Sequence, residues 1–273
     1  KRTSNRDAQS GVGGMNSVAV LVAVRLKSQR LPRKALLDLS GEPLIVRLTE
    51  RVMMANIPKK VVWCTSVHSQ DDPLEQLANE RSIPIFRGAE DDVMGRFLDA
   101  ASRIGATTVI RVTGDNPLSD PELMDLLITS HFDLNAEYSY NDQLPRGTRC
   151  EVVDVKMLEK CHELLQDPNS SEYMTLQLRR PDVFKVNRVH CPEVRLHRPE
   201  MRLTVDTNED YELLSSIYRH FQGNVPRLIE VVEWLDLNPQ VRDLNCHIEE
   251  RRLGTDINVK LKGDDGAAIH AKG

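Results

Sequence analysis

The stretch Ser17-Val-Ala-Val-Leu-Val-Ala-Val24, followed at once by Arg25-Leu-Lys-Ser-Gln-Arg-Leu-Pro-Arg-Lys34, decides the fold. The first half is an unbroken β-rich apolar run, as expected of a strand buried on both faces of a parallel sheet. The second half puts five positive charges into ten residues directly after that strand. In an open parallel sheet, ligands sit outside the carboxyl ends of the strands. The basic segment therefore occupies the place where an anionic ligand would be met. It lacks the G-x-x-x-x-G-K-[ST] pattern of a Walker loop.

Outward from this point, strand and helix patterns alternate. Gly41-Glu-Pro43 leads into a helix with the sequence LIVRLTERVMMA. Lys60–Thr65 is a second strand, and Asp71–Arg81 is a polar helix whose Asp71, Asp72 and Pro73 suit an N-terminus. Ile83–Phe86 is a third strand, Asp91–Ile104 a helix, and Thr107–Val112 a fourth strand. Asp120-Pro121 opens the next helix. This alternation predicts an α/β fold with a doubly wound, mostly parallel sheet and flanking helices. Beyond about residue 135 the pattern becomes mixed, with strands expected at Glu137–Tyr140, Cys150–Val155, Val183–Val189 and Met201–Val205. Arg227–Leu235 and Asn238–Leu253 are expected to be helical.

The composition narrows the function. Hydrophobic residues make up 40% and charged residues 28% of 273, which suits a globular protein with a sizeable core. Aromatics are only 4%, which predicts an aliphatic core and argues against a base-stacking nucleic-acid platform. A net charge of −5 argues against a partner such as nucleic acid or a membrane surface, but leaves room for a small anion in a local basic pocket. The five cysteines form no C-x-x-C pair and read as reduced thiols of a cytoplasmic protein. No apolar run reaches membrane-span length. Residues 1–14 read as a flexible leader or a linker from a possible upstream fused domain, with Met15 a candidate start.

Three segments carry candidate chemistry. In the basic loop, Arg25, Arg30 and Lys34 can converge on a polyphosphate, with Ser28 and backbone N–H groups as further donors. After the fourth strand, Thr113-Gly-Asp115-Asn-Pro-Leu118 aims Asp115 out of the sheet, where a hard-cation ligand belongs. The competing reading is a turn in which Asp115 or Asn116 bonds its own backbone. In Arg202-Leu-Thr-Val-Asp206, the last residue is either a second metal carboxylate or the cap of the following helix. Together they suggest a nucleoside triphosphate held by the loop and Mg²⁺ held by Asp115 and Asp206.

These segments resemble the acylneuraminate and 3-deoxy-manno-octulosonate cytidylyltransferases, most nearly the spore-coat polysaccharide branch. The loop Val24–Leu36 with Gly41-Glu-Pro-Leu44 is similar to that family's signature. So, in order, are Gly88-Ala-Glu-Asp-Asp-Val-Met-Gly-Arg96-Phe97, Arg111-Val-Thr-Gly-Asp115-Asn-Pro-Leu118, Leu144-Pro-Arg-Gly147 with Glu151-Val152, and Arg202–Asp206. The resemblance implies a Rossmann-like nucleotide-diphospho-sugar transferase fold with a small mixed substrate and dimerisation subdomain. On this reading residues 15–235 are the nucleotidyltransferase domain, about 135–200 the subdomain, and 236–273 a C-terminal helix and flexible tail. It also implies a homodimer in which CTP and an acidic 2-keto sugar give a CMP-sugar and pyrophosphate. Arg25, Ser28, Arg30 and Lys34 would hold the triphosphate, and Arg25, Lys34 and Asp115 would be catalytic. Asp115 and Asp206 would hold Mg²⁺. Glu151 and Arg202 would contact the sugar or the metal shell, and Arg96 would either touch nucleotide or form an ion pair on the helix surface.

The chain departs from the family at two places. Arg33 stands where glycine is common after the loop proline, and Leu26-Lys27 replaces small residues. Ser171-Glu-Tyr-Met-Thr175 lacks the arginine and histidine of the branch's acceptor segment, which leaves the acceptor open. A guanylyltransferase or other sugar-phosphate nucleotidyltransferase, and a non-catalytic nucleotide-sugar binding module, remain as alternatives.

Overall fold

The computed structural model describes residues 17–224, 226–249 and 261–262, so the leader and most of the expected tail lie outside the described residues. The apolar run forms β1 (Val18–Ala23), which is followed by a one-turn helix at Lys34–Leu36. Then come α1 (Leu44–Val52), β2 (Lys60–Ser66), α2 (Asp72–Glu80), β3 (Ile85–Gly88), α3 (Val93–Ile104), β4 (Thr108–Thr113) and α4 (Pro121–Asp133). The mixed half contributes β5 (Tyr138–Tyr140), β6 (Glu151–Asp154), α5 (Val155–Leu164), α6 (Met174–Leu178) and β7 (Val186–Arg188). The chain then runs through α7 (Asn208–His220), α8 (Leu228–Leu237) and α9 (Pro239–Arg242).

One sheet of seven strands joins both halves, in the order β3-β2-β1-β4-β6-β5-β7. β3, β2, β1 and β4 are parallel, and β6 runs antiparallel to both β4 and β5. The alternation of β1 explains its place in the middle. Val18, Val20 and Val22 enter one core with residues of α1, α4, α7 and α8. Ala19 and Leu21 enter the other, with residues of α3, α5 and α6. A strand with helices on both sides can carry no polar face, hence the unbroken apolar run.

The topology fixes where a ligand can sit. From β1 the chain moves outward through β2 and β3, then returns to place β4 on the other side of β1. That reversal is a switch point, where the connections diverge and leave a crevice. Ala23 lies opposite Thr113 in the register, so the loops after β1 and β4 leave the sheet side by side.

Two expected elements differ. Met201–Val205 is not a strand; its backbone is held by loops instead of a strand partner. Arg146 N donates to Met201 O at 2.9 Å, Leu203 N to Arg146 O at 2.8 Å, and Val205 N to Asp115 O at 2.9 Å. The helix expected over Asn238–Leu253 is only α9 and a single turn at Asp243–Asn245, within the described residues. Asn238 and Pro239 break it from α8, and the segment offers few apolar positions to bury.

Candidate active site

The basic loop is built by its apolar residues. Leu26 and Leu31 are buried, as is Ala35 in the turn after it, and they pull the loop onto the core. Leu26 N donates to the carboxylate of Asp71 at 2.7 Å, and the hydroxyl of Ser66 donates to the same carboxylate at 2.5 Å. Asp71 is fully buried. It therefore ties the loop's entry to the end of β2, a role not evident from its place in an Asp-Asp-Pro helix start. Arg33 N closes the loop on Leu26 O at 3.3 Å. Arg33 itself has φ 56°, in the left-handed region. Glycine enters that region without steric cost, whereas a residue with a Cβ is strained there.

The loop delivers Lys34 to two carboxylates. Its Nζ donates to Asp115 at 2.8 Å and to Asp206 at 2.7 Å. Three segments far apart in sequence thus meet beyond the carboxyl ends of β1 and β4. Gly114 makes one approach possible, because a Cβ there would lie 2.7 Å from the Cβ of Val24. The requirement is closeness to β1, not an unusual φ. Asp115 is oriented by the hydroxyl of Thr113, which donates to it at 2.7 Å. The bond from Val205 N to Asp115 O then sets Asp206 beside Asp115.

Asp206 is not the helix cap. Thr207 caps α7 and forms a reciprocal capping box with Asp210. Fully buried Asp210 also accepts from Asp206 N at 2.9 Å, from Arg202 Nε at 2.8 Å and from Asn245 at 2.8 Å. With capping done by its neighbours, the Asp206 carboxylate is directed to the site. Arg202 Nη2 donates to it at 2.7 Å, and Arg30 lies 3.2 Å away.

Charge at this centre is balanced locally. Burial draws the Lys34 pKa down, but Asp115 and Asp206 outweigh it and hold it above the ordinary lysine value. Burial pushes the Asp206 carboxyl up, but Lys34, Arg30 and Arg202 prevail and hold it below the ordinary carboxylate range. Lys34, Arg30 and Arg202 face Asp115, Asp206 and Asp210, so three cations meet three carboxylates.

The remaining expected residues lie in two further groups. Arg25 Nη1 donates to Glu90 O at 3.0 Å and lies 3.7 Å from Asp91, so its contacts run to the β3–α3 loop. Arg96 donates to Ala89 O at 2.6 Å and Glu90 O at 3.2 Å. It is 1% exposed, so the expected ion pair on the helix surface is absent; α3 turns this face inward, under the loop that Arg25 grips. Ser28 Oγ accepts from Leu31 N at 3.4 Å and shapes the basic loop. Glu151 belongs to a buried polar group of its own. It takes Arg111 Nη1 at 2.9 Å, the Tyr138 hydroxyl at 2.6 Å and Thr175 Oγ1 at 2.9 Å, with Arg179 3.7 Å away. Burial pushes the Glu151 carboxyl up, yet Arg111 and these partners hold it below the ordinary range. Residues 17–249 hold four buried free cysteines and the exposed Cys246. Among the described residues, no helix is long and apolar enough to cross a membrane.

Comparison with known proteins shows the family and the fold. A family model described as cytidylyltransferase matches residues 19–228. The spore coat polysaccharide biosynthesis protein SpsF of Bacillus subtilis is 35% identical over 234 residues, covering 82% of this chain and 96% of that protein. A 3-deoxy-manno-octulosonate cytidylyltransferase of Chlorobium luteolum is 37% identical over 244 residues, covering 89% of this chain and 91% of its own. A solved cytidylyltransferase structure from Leptospira borgpetersenii superposes with a TM-score of 0.77 at 26% identity, over 87% of this chain and all of that one. The alternation, the switch point and the Rossmann-like nucleotidyltransferase fold are thus shared.

Proposed function

The chain belongs to the cytidylyltransferase family of nucleotidyltransferases, and on that premise we propose that it transfers CMP from CTP to an acidic 2-keto sugar with Mg²⁺ at Asp115 and Asp206. The observation that carries this reading is the convergence of Lys34 on both aspartates, at 2.8 and 2.7 Å, beyond the switch point. Two carboxylates held close by one ammonium form a seat that a divalent cation fits. Among the described residues no larger group of histidine, cysteine or carboxylate side chains could hold a metal ion. Mg²⁺ commonly uses one or two carboxylates and completes its shell with substrate phosphates and water. When bound, it would supply charge neutralisation at the phosphates.

The chain's own residues do the rest. Lys34 leaves the aspartates for the phosphates as the nucleotide enters, and Arg30 follows the same charge. Arg25 and Ser28 complete the loop's hold on the triphosphate, with Arg96 beneath the Glu90 carbonyl. The anomeric hydroxyl of the sugar attacks the α-phosphorus; its proton leaves to solvent, and the bond to the bridging oxygen breaks, releasing pyrophosphate. Lys34 and Arg25 stabilise the charge that develops on that leaving group. Arg202 keeps Asp206 aimed, and Glu151 stands on the acceptor side. The family resemblance adds a homodimer to this reading, which light scattering reads directly.

A thermal-shift panel of the four nucleoside triphosphates with Mg²⁺ tests the nucleotide, since stabilisation follows affinity. CTP is expected to give the selective shift, and a selective GTP shift would move the reading to a guanylyltransferase. In a pyrophosphate-release assay, Asp115→Asn and Asp206→Asn should each lower turnover by about 10²-fold or more. Unchanged turnover in both would sink the proposed centre.

A further inference from the structure

The buried group around Glu151 has more cations than its one carboxylate balances. Arg111 and Arg179 pair with it, Arg149 lies near enough to Arg179 to feel its charge, and Arg179 stacks on the Tyr140 ring at 4.0 Å from the centroid. Arg149 donates through Nε to Leu144 O at 2.6 Å. Its Nη2 is buried and has no hydrogen-bond partner among the described residues, and the same is true of Arg179 Nε and Arg111 Nε. Burial, then the charges of Arg146 and Arg179, bring the Arg149 pKa down to about 10. Buried guanidinium N–H groups without acceptors are costly, because each has given up water for nothing. Arg111, Arg149 and Arg179 thus each keep a buried N–H that an anion could satisfy.

The elements that carry these arginines lead to the candidate active centre. Arg111 pairs with Glu151 across β4 and β6, and the same strand β4 leads on to Asp115. On the other side, Arg146 bridges in the backbone to Arg202, whose guanidinium grips Asp206. An acceptor reaching from the arginines to the metal carboxylates would lie along the β4–β6 edge of the crevice.

The geometry points to Arg149 and Arg179 as the seat of the acceptor's carboxylate, an inference that rests on the acidic-sugar function proposed above. A guanidinium presents paired N–H groups that match the two oxygens of a carboxylate. Glu151 does not fill the seat; it keeps Arg111 and Arg179 in place and lowers the cost of burying them. This puts acceptor selection on residues outside the segment Ser171–Thr175, whose departure from the family pattern left the acceptor open. A sugar phosphate shares this anion chemistry, and the experiment separates the two.

The test is pyrophosphate release by the full chain with CTP and Mg²⁺. The acceptors are acylneuraminate, 3-deoxy-manno-octulosonate, the methyl ester of each, and a hexose 1-phosphate. Wild type is expected to use at least one acid and to have a KM about tenfold or more higher for its ester. Arg149→Gln and Arg179→Gln should raise the KM for the acid about tenfold or more, leave the KM for CTP unchanged and abolish the preference for acid over ester. Arg149→Lys should recover part of the loss. The CTP-induced thermal shift shows that each variant is folded with its nucleotide site intact. Acid KM values within twofold of wild type in both glutamine variants overturn the seat alone, as does an equal loss for acid and ester. A lost CTP shift in both variants makes these arginines structural and also overturns it. Wild type that binds CTP but uses none of the acids, or uses only the hexose 1-phosphate, overturns the acidic acceptor and the seat together and leaves the nucleotide site standing.

Discussion

A single backbone angle marks the strained point of this loop. Arg33 is held at φ 56° where glycine would be unstrained. Arg33→Gly relieves the left-handed strain, while the freer unfolded chain offsets part of the gain. The expected outcome is a change between zero and about 1 kcal/mol of added stability, read by chemical denaturation. At the same scale, Lys34 and Asp206 set a pH dependence. Asp206 is held below its ordinary 3.8, so its contribution is complete above that value and is lost as pH falls through the lower folded value. Lys34 is held above its ordinary 10.5, so its contribution is complete below that value and is lost as pH rises through the higher folded value. The stability difference between wild type and Asp206→Asn should therefore be flat from about pH 5 to 9 and shrink outside that range. Its plateau should be about 2 kcal/mol, because the substitution leaves Lys34 and Arg202 short of a partner. Denaturant midpoints across pH measure this. The residues of the ion-pair centre were legible in the sequence. Asp71, Asp210 and Arg149 were not, because their roles depend on burial against segments remote in the chain.

At the scale of elements, the segment Met201–Asp206 is positioned by loops and a helix cap. Gly147 has φ 84°, and a Cβ there would meet the backbone of Leu203 at 2.4 Å. Gly147→Ala should push this segment away from Arg146, costing about 2 kcal/mol or more of stability. Because Val205 also holds Asp115 by a backbone bond, the same change should lower kcat more than it raises the KM for CTP. Steady-state kinetics beside denaturation separate the two effects, and a stable variant with normal kcat would contradict the positioning role. Met201–Val205 resembled a strand because buried Met201, Leu203 and Val205 alternate with Arg202 and Thr204. Its hydrogen-bond partners are loops, which no periodicity announces.

For the whole molecule, the sheet brings the loops after β1 and β4 to one crevice, and Lys34, Arg30 and Arg202 already balance Asp115, Asp206 and Asp210 there. Removal of divalent metal should consequently leave the fold untouched. EDTA is expected to abolish pyrophosphate release while moving the melting temperature of the nucleotide-free protein by less than about 1 °C, since a metal stabilises only a state that binds it. A large loss of melting temperature would mean that the cation is structural. In the presence of CTP, EDTA should remove most of the nucleotide's stabilising effect.

The sequence by itself determined the parallel half of the sheet and the place of the candidate site. A strand buried on both faces must be apolar throughout, and loops at the carboxyl ends of such strands must carry the polar residues that a ligand needs. That is why Lys34 and Asp115 could be singled out. Only the tertiary structure decided that Asp206 faces the site and is not a cap, since Thr207 and Asp210 satisfy the helix end in its place. The same holds for Arg25 and Arg96, which meet at the Glu90 carbonyl, and for the arginines around Glu151. A charge in a sequence can pair with any opposite charge. Which partner it takes is settled by the register of strands and the loops that burial forces together.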